Sequence, residues 1–350
     1  MRDLIPDVDS DRGFSHHALE RFRHQCAAIP AYGAFARHLG RGPDDVRDWR
    51  DIPPVPASAF RSHDLSAAPS GREAVTFETS GTTISRPGRV RLSDTALYEA
   101  SLSRSFQRHL LPDGARLHAI VFGPTRAEAP HSSLWFMVDH VVRKLCAGGT
   151  WIVERGEPIW ERADQAMSGG QPLLLLGTTL LFQAYFDRCD RERRVFDLPA
   201  GSRAMDTGGA KGTRIEVRRE DVEAGFTRVL GIERSHLVNE YGMAELGSQF
   251  YQDSLSAFHD HRVPRPGFAV PPWVRTRVLD PETMRELPAG VPGLLVHYDL
   301  ANLEIPSAIQ TEDVGTLLAG NHLLLEGRLP EADRRGCSLP FEQFVERERA

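Results

Sequence analysis

The stretch 77–91, FETSGTTISRPGRVR, decides the reading of this chain. An apolar position, Phe77, leads into a run of Thr, Ser and Gly, and arginines follow at 86, 89 and 91. A loop of this kind after a strand can wrap a phosphate chain. Glycine lets the backbone come close, and hydroxyl and N–H groups donate to anionic oxygens. The same composition suits an ordinary surface turn, and the stretch alone leaves both readings open. A Walker-type loop is excluded, because G-x-x-x-x-G-K-[ST] is absent; so are G-x-G-x-x-G, G-x-S-x-G and H-E-x-x-H.

Outward from the loop, the chain has 350 residues and a formal charge of −6. That length suits one large domain or two unequal ones. A mildly acidic balance argues against nucleic-acid binding, which needs a basic face. The start, MRDLIPDVDSDRGF, lacks an apolar core segment, so no signal peptide is expected. The most apolar run, PLLLLGTTLLF (172–182), is too short to span a bilayer and reads as a buried strand entering a helix. Cytoplasm is the expected compartment. Cys26, Cys146, Cys189 and Cys337 form no C-x-x-C pair, so neither zinc nor a redox dithiol is suggested. FHDHR (258–262) looks metal-like, yet two histidines in a charged loop are more often simply solvated.

Residues 14–50 read as short helices, with Leu19, Phe22, Cys26 and Ala27 on one face. DIPPVPASAF (51–60) is a proline-rich connector, and a strand-like segment leads into the loop. Ser93 is placed to cap a helix on which Tyr98, Leu102, Phe106 and Leu110 share a face. LHAIVF (117–122), TWIV (150–153) and LLLLG (173–177) read as buried strands; helices are expected over 133–145, 178–189 and 217–230. Alternating strands and helices imply an α/β fold with a largely parallel sheet. Past residue 270, WVRTRVLDPET and GLLVHYD read as strands of an antiparallel β part.

Five further segments narrow the reading. They are MDTGGAKGTRIEVRRED (from 205), VNEYGMAELGSQFYQD (238), PPWVRTRVLD (271), HYDLANLEIPSAIQTEDVG (297) and EGRLPEADRRGCSL (326). Together, and in this order, they resemble the LuxE-type acyl-protein synthetases, within the superfamily of adenylate-forming enzymes. The resemblance spans roughly residues 50–340. It implies an α/β large domain of layered sheets with flanking helices over 1–327. Within it, 51–200 and 201–270 would be α/β parts and 271–327 β-rich. A short tail, 328–350, would carry Cys337 in place of the usual C-terminal domain. The implied activity joins a carboxylic acid, a fatty acid in this family, to the α-phosphate of ATP with Mg2+ present. The acyl group would then pass to a partner protein, a reductase or carrier protein.

By the same resemblance Thr79, Ser80, Gly81, Thr82 and Thr83 form the phosphate loop. Tyr241 offers a ring beside the adenine, Glu245 a carboxylate for magnesium, and Gly208, Gly209 and Ala210 a close approach to the adenine edge. Asp313 would accept the ribose hydroxyls, with Arg328 beside it. Cys337 would take the acyl group as a thioester. Arg334 and Arg335 should favour its thiolate, and Gly336 gives the segment freedom to swing. Lys211 could reach a phosphate. Phe122, Trp135 and Phe136 are candidates for an acyl pocket, though such aromatics are more often plain core.

Three positions depart from the family pattern. Ile84 replaces a loop glycine, Ala244 replaces the threonine before the magnesium glutamate, and Arg86 or Arg89 stands for the lysine after the loop. Arginine can still engage phosphate bidentately. Two other functions stay open at this stage. One is a natural-product adenylating enzyme that loads a carrier protein, coenzyme A or an amine. The other is a weakly catalytic relative that binds nucleotide.

Overall fold

The structure, a computed structural model, describes residues 5, 8, 10–79, 87–208, 218–329, 341 and 344. Its residues fall into two compact units. The first takes Met1–Leu102, Gly242–Gln249 and Ala269–Ala350; the second takes Ser103–Tyr241 and Phe250–Phe268.

The second unit is the α/β part. Its strands run side by side in the order Gly148–Trp151, His118–Phe122, Leu173–Thr178, Arg203–Thr207 and Leu237–Tyr241, all parallel. Phe250–Gln252 pairs antiparallel with the last of them. Parallel neighbours need long crossovers. The helices Ser133–Leu145, Trp160–Met167, Thr179–Glu192 and Arg219–Leu230 lie in those connections. Continuous apolar strands such as LLLLG fit a sheet covered by helices. Phe182, Tyr185, Phe186, Val222 and Phe226 pack over Ile120, Phe122 and Leu175 there. Ring centroids of Phe122 and Phe226 lie 4.5 and 4.7 Å from that of Phe182. The expected buried strand at 150–153 is instead divided: Gly148–Trp151 is a half-buried strand paired with the 118–122 strand, and the buried Ile152 and Val153 follow it.

The first unit carries the antiparallel β part. Val274–Leu279, Gly293–Asp299, Ala308–Leu318 and His322–Arg328 pair in sequence order. Val55–Pro56 adds on parallel to Ile309 and Gln310. Val75–Glu78 and Arg89–Leu92 form a separate antiparallel pair flanking the opening loop. Two helices, Asp11–Ala28 and Pro30–His38, precede them.

Two local expectations are corrected. The buried stripe of the first helix is Phe14, Ala18, Phe22, Gln25 and Cys26, while Leu19 is half-buried and Ala27 exposed. A spacing of four, then three or four, follows the helix better than the adjacent pair 26–27. Ser93 does not cap the helix Ala96–Leu110. Its N–H and hydroxyl both donate to the Glu304 carboxylate, and Asp94 Oδ1 accepts from the Ala96 N–H at 2.8 Å instead.

Candidate functional site

Three groups of side chains follow from this arrangement, two in the first unit and one in the second. The opening loop leaves the strand Val75–Glu78 and returns at Arg89. Ser80, Gly81, Thr82, Thr83, Ile84 and Arg86 lie outside the described residues, as do Gly209, Ala210, Lys211 and Cys337. Thr79 is described, and it closes the neck of the loop. Its N–H donates to the Gly88 carbonyl at 2.9 Å, and its Oγ1 accepts from the Gly88 N–H at 3.0 Å. A Cβ at position 88 would stand 3.0 Å from Thr79 Oγ1 and 3.1 Å from the Phe60 backbone, so glycine permits the closure. Gly88 was not among the expected residues. Arg89 is well exposed and reaches Glu78 at 3.5 Å.

The second group lies on the antiparallel sheet. Asp313 and Arg328 are direct cross-strand partners next to a register shift between Val314 and Gly315. A bulge of this kind re-aims neighbouring side chains. Arg328 Nε donates to Asp313 Oδ1 at 3.0 Å, and Asp313 is buried while the arginine stays partly exposed. Glu245 sits in the segment Gly242–Gln249 of the same unit and is 5% exposed. Burial raises its pKa from the usual 4.5 to about 7; Asp313 adds to the rise, and its own N–H, Arg61 and Arg328 oppose it. A carboxylate held there is only partly compensated. A hard cation would supply what is missing, and magnesium takes one or two carboxylates plus phosphate oxygens. Glu245 alone offers one carboxylate for such an ion, the rest of whose ligands would come from phosphate and water.

Backbone struts fix that segment. Asn302 Nδ2 donates to the Glu245 carbonyl at 2.9 Å and to the Pro306 carbonyl at 3.1 Å. Gln25, fully buried in the first helix, donates to the carbonyls of Asn302, Leu303 and Ile305 at 2.9, 3.3 and 2.6 Å. Its Oε1 accepts from the Ser307 N–H at 3.0 Å. Ser248 follows three residues after Glu245, donates to Asp299 Oδ1 at 2.8 Å and accepts from Trp273 Nε1 at 2.9 Å. Burial pushes the Asp299 carboxyl up to about 6. Neither Gln25 nor Asn302 was expected from sequence.

The third group stands at the carboxyl ends of the second unit's parallel strands, where ligands of open α/β sheets bind. Gly208 follows the strand Arg203–Thr207 with φ +81°, a conformation that favours glycine. Tyr241 ends the neighbouring strand. It is buried, its ring centroid 5.5 Å from that of Phe250 and 6.0 Å from that of Phe268. Thr207 and Glu240 pair across these strands, and Thr207 Oγ1 donates to the Glu240 carboxylate. Asp206 accepts from Thr179 Oγ1 at 3.0 Å and faces Arg219 at 3.5 Å. Burial still raises its pKa.

Other candidates resolve plainly. Phe122 belongs to the core of the second unit, and Trp135 and Phe136 are buried on the helix Ser133–Leu145. Cys26, Cys146 and Cys189 are buried, and burial raises each thiol's pKa, against nucleophilic use. Among the described residues the side chains of FHDHR form no cluster with metal-ligand geometry; His16, His17 and Glu20 do, on the first helix, with His17 half-buried and the other two exposed. Also among the described residues, no helix is long and apolar enough to cross a membrane.

The fold is that of adenylate-forming ligases. It matches 2-hydroxyisobutyryl-CoA ligase, solved with 2-HIB-AMP and CoA, at a TM-score of 0.68 and 16% identity, covering 92% of this chain and 75% of that one. A luciferase-like enzyme from the mealworm Zophobas morio matches at 0.52 and 14% identity, over 81% of this chain and 63% of that one. Residues 9–345 match the family "Acyl-protein synthetase, LuxE", and the chain belongs to that family. It is 24% identical over 328 residues to the long-chain-fatty-acid–luciferin-component ligase of Vibrio harveyi, covering 89% of this chain and 82% of the relative. The Aliivibrio fischeri protein of the same name is 28% identical over 115 residues, 31% of this chain and 28% of that one. The protein is thus an enzyme, an acid–thiol ligase that forms an acyl-adenylate.

Proposed function

We propose that the chain is an ATP-dependent acyl-protein synthetase that activates a carboxylic acid, a fatty acid by family, and passes the acyl group through Cys337 to a partner protein. The observation that carries this reading is the buried Glu245, raised to about 7 beside Arg61, Arg328 and Asp313. Mg2+, bound with the nucleotide, would neutralise phosphate charge there. Glu245 would hold that ion. Asp313 would accept the ribose hydroxyls while Arg328 keeps its carboxylate aimed. Thr79 would fix the neck of the loop that carries Ser80, Gly81, Thr82 and Thr83 toward the β- and γ-phosphates. Gly208, Gly209 and Ala210 would pass the adenine edge, and Tyr241 would flank the base.

In the first step the acid's carboxylate oxygen attacks the α-phosphorus, and the bond to the pyrophosphate oxygen breaks. In the second the Cys337 thiolate attacks the acyl carbon, AMP leaves, and a thioester forms. Cys337 lies in sequence between Leu329 and Phe341, both buried in the first unit. Phe341 packs on Phe35 with centroids 4.9 Å apart. The thioester then passes its acyl group to the partner, a reductase or a carrier protein.

Incubation with radiolabelled tetradecanoate, ATP and Mg2+ tests the proposal. The expected result is acid-dependent pyrophosphate exchange and a hydroxylamine-labile label on the protein that a Cys337→Ser variant does not acquire. Exchange absent with every acid would reject activation. An equal hydroxylamine-labile label on the serine variant would reject Cys337.

A further inference from the structure

Gln25 is not the only residue the first helix turns toward loop 301–307. Arg21 lies one turn earlier, at i−4, on the same face of the helix. It stands at the wall of a cavity of about 190 Å3 within the first unit. The rest of the wall is mainly apolar: Phe77, Val90, Leu97, Tyr98, Leu246 and Ile305. Ala244 and Gly247, which flank Glu245 and Leu246, also face it.

Arg21 is half-buried, and burial lowers its pKa against the long-range pull of Asp299 and Glu20. Among the described residues it has no hydrogen-bonded or ion-paired partner. Desolvated charges are ordinarily paired. The two carboxylates on the cavity wall are engaged elsewhere, Glu304 with Ser93 and Asp94 with the Ala96 N–H. The cavity thus combines a planar guanidinium without a hydrogen-bonded partner among the described residues with a mainly apolar chamber, which Asp94 and Glu304 also border. A guanidinium fork suits a carboxylate bidentately. An apolar cavity of about 150 Å3 holds a benzene-sized body. Alanine at 244 places a methyl group, with no hydroxyl, on that wall.

We propose that this cavity binds a small carboxylate, its head on Arg21 and its body an aromatic ring or a chain of about six carbons. The occupant is either the acid that the enzyme adenylates or a regulatory acid. Only the first alternative rests on the function proposed above.

Calorimetry on the full chain without nucleotide tests binding, with sodium hexanoate and sodium benzoate as probes and hexanamide as the uncharged control. Hexanoate or benzoate should bind, and hexanamide at least about tenfold more weakly. Arg21→Met, which keeps the stem, should weaken the acid by a similar factor. The proposal fails if neither acid binds, if hexanamide matches hexanoate, or if Arg21→Met binds hexanoate like the parent. The hexanamide comparison needs no variant, so a folding defect cannot mask the result. Pyrophosphate exchange then separates the sources: exchange driven by the bound acid marks a substrate, and altered exchange with tetradecanoate marks a regulator. Exchange with tetradecanoate while no short acid binds would sink the cavity assignment and leave the proposed function standing. Short-acid binding without exchange for any acid would do the reverse.

Discussion

Two buried carboxylate clusters in this protein solve the same problem differently. In the second unit, Asp206 accepts from Thr179 and faces Arg219 at 3.5 Å, and Glu240 accepts from Thr207. Protein neighbours answer those carboxylates directly, although burial still raises Asp206. In the first unit, Glu245 has arginines within electrostatic reach and still titrates near 7. The difference teaches where to look for a missing cation. Hydrogen-bonding neighbours hold Asp206 and Glu240 in place, whereas Glu245, raised to about 7 by burial, is the carboxylate we propose for a charge that arrives with a ligand.

The sharpest way to break the comparison is Glu245→Gln. Acid-dependent pyrophosphate exchange should fall by about 100- to 1,000-fold, the loss typical of removing one group that stabilises developing charge. Stability should move the other way. Below the usual 4.5, Glu245 is protonated in both the folded and unfolded chains and its charge contributes nothing. As pH rises from there to about 7, the unfolded chain ionises first and the folded state loses up to about 3 kcal/mol. Asp299, raised to about 6, pushes in the same direction at lower pH. Urea unfolding at pH 5 and pH 8 should therefore show Glu245→Gln gaining on the parent at the higher pH. Equal stabilities at both would contradict the burial argument.

Gln25→Leu comes next. It leaves three carbonyls and one N–H in loop 302–307 without their partner, and should lower stability by about 3 kcal/mol. If the strut also positions Glu245, the half-saturating Mg2+ concentration should rise as well; a change in melting temperature alone would confine Gln25 to a scaffold role. Asp313→Asn has a smaller expected effect. It weakens the acceptor for Arg328, and KM for ATP should rise about tenfold while kcat changes little. An unchanged KM would remove Asp313 from the nucleotide site. Smallest in its effect on exchange is Asp206→Asn, which should lower stability by about 1–3 kcal/mol, because Arg219 and Thr179 lose their carboxylate, and leave exchange untouched. A large loss of exchange there would erase the distinction between the two clusters.

The α/β alternation was legible because apolar strands and helix periods are local signals. The helices expected over 133–145, 178–189 and 217–230 are found at Ser133–Leu145, Thr179–Glu192 and Arg219–Leu230. The antiparallel strands past residue 270 were legible in the same way. Gln25 and Asn302 were not. A buried glutamine reads as an ordinary polar residue in an amphipathic helix, and its backbone partners lie 277–282 residues away. Gly88 was not legible because its role depends on a contact with Thr79, nine residues away, that only the folded hairpin creates. Ser93 misled for a related reason: a hydroxyl before a helix signals a cap only when no distant carboxylate competes for it, and Glu304 does.

The Thr79–Gly88 clasp has an engineering consequence. Two hydrogen bonds and a flanking strand pair hold the entry and exit of the stretch 80–87 together. Its termini are therefore held together by contacts that lie outside the stretch itself, and added length carries only a slowly growing entropic penalty. An engineered change of length or composition within 80–86 should therefore leave the flanking strand pair and its clasp intact.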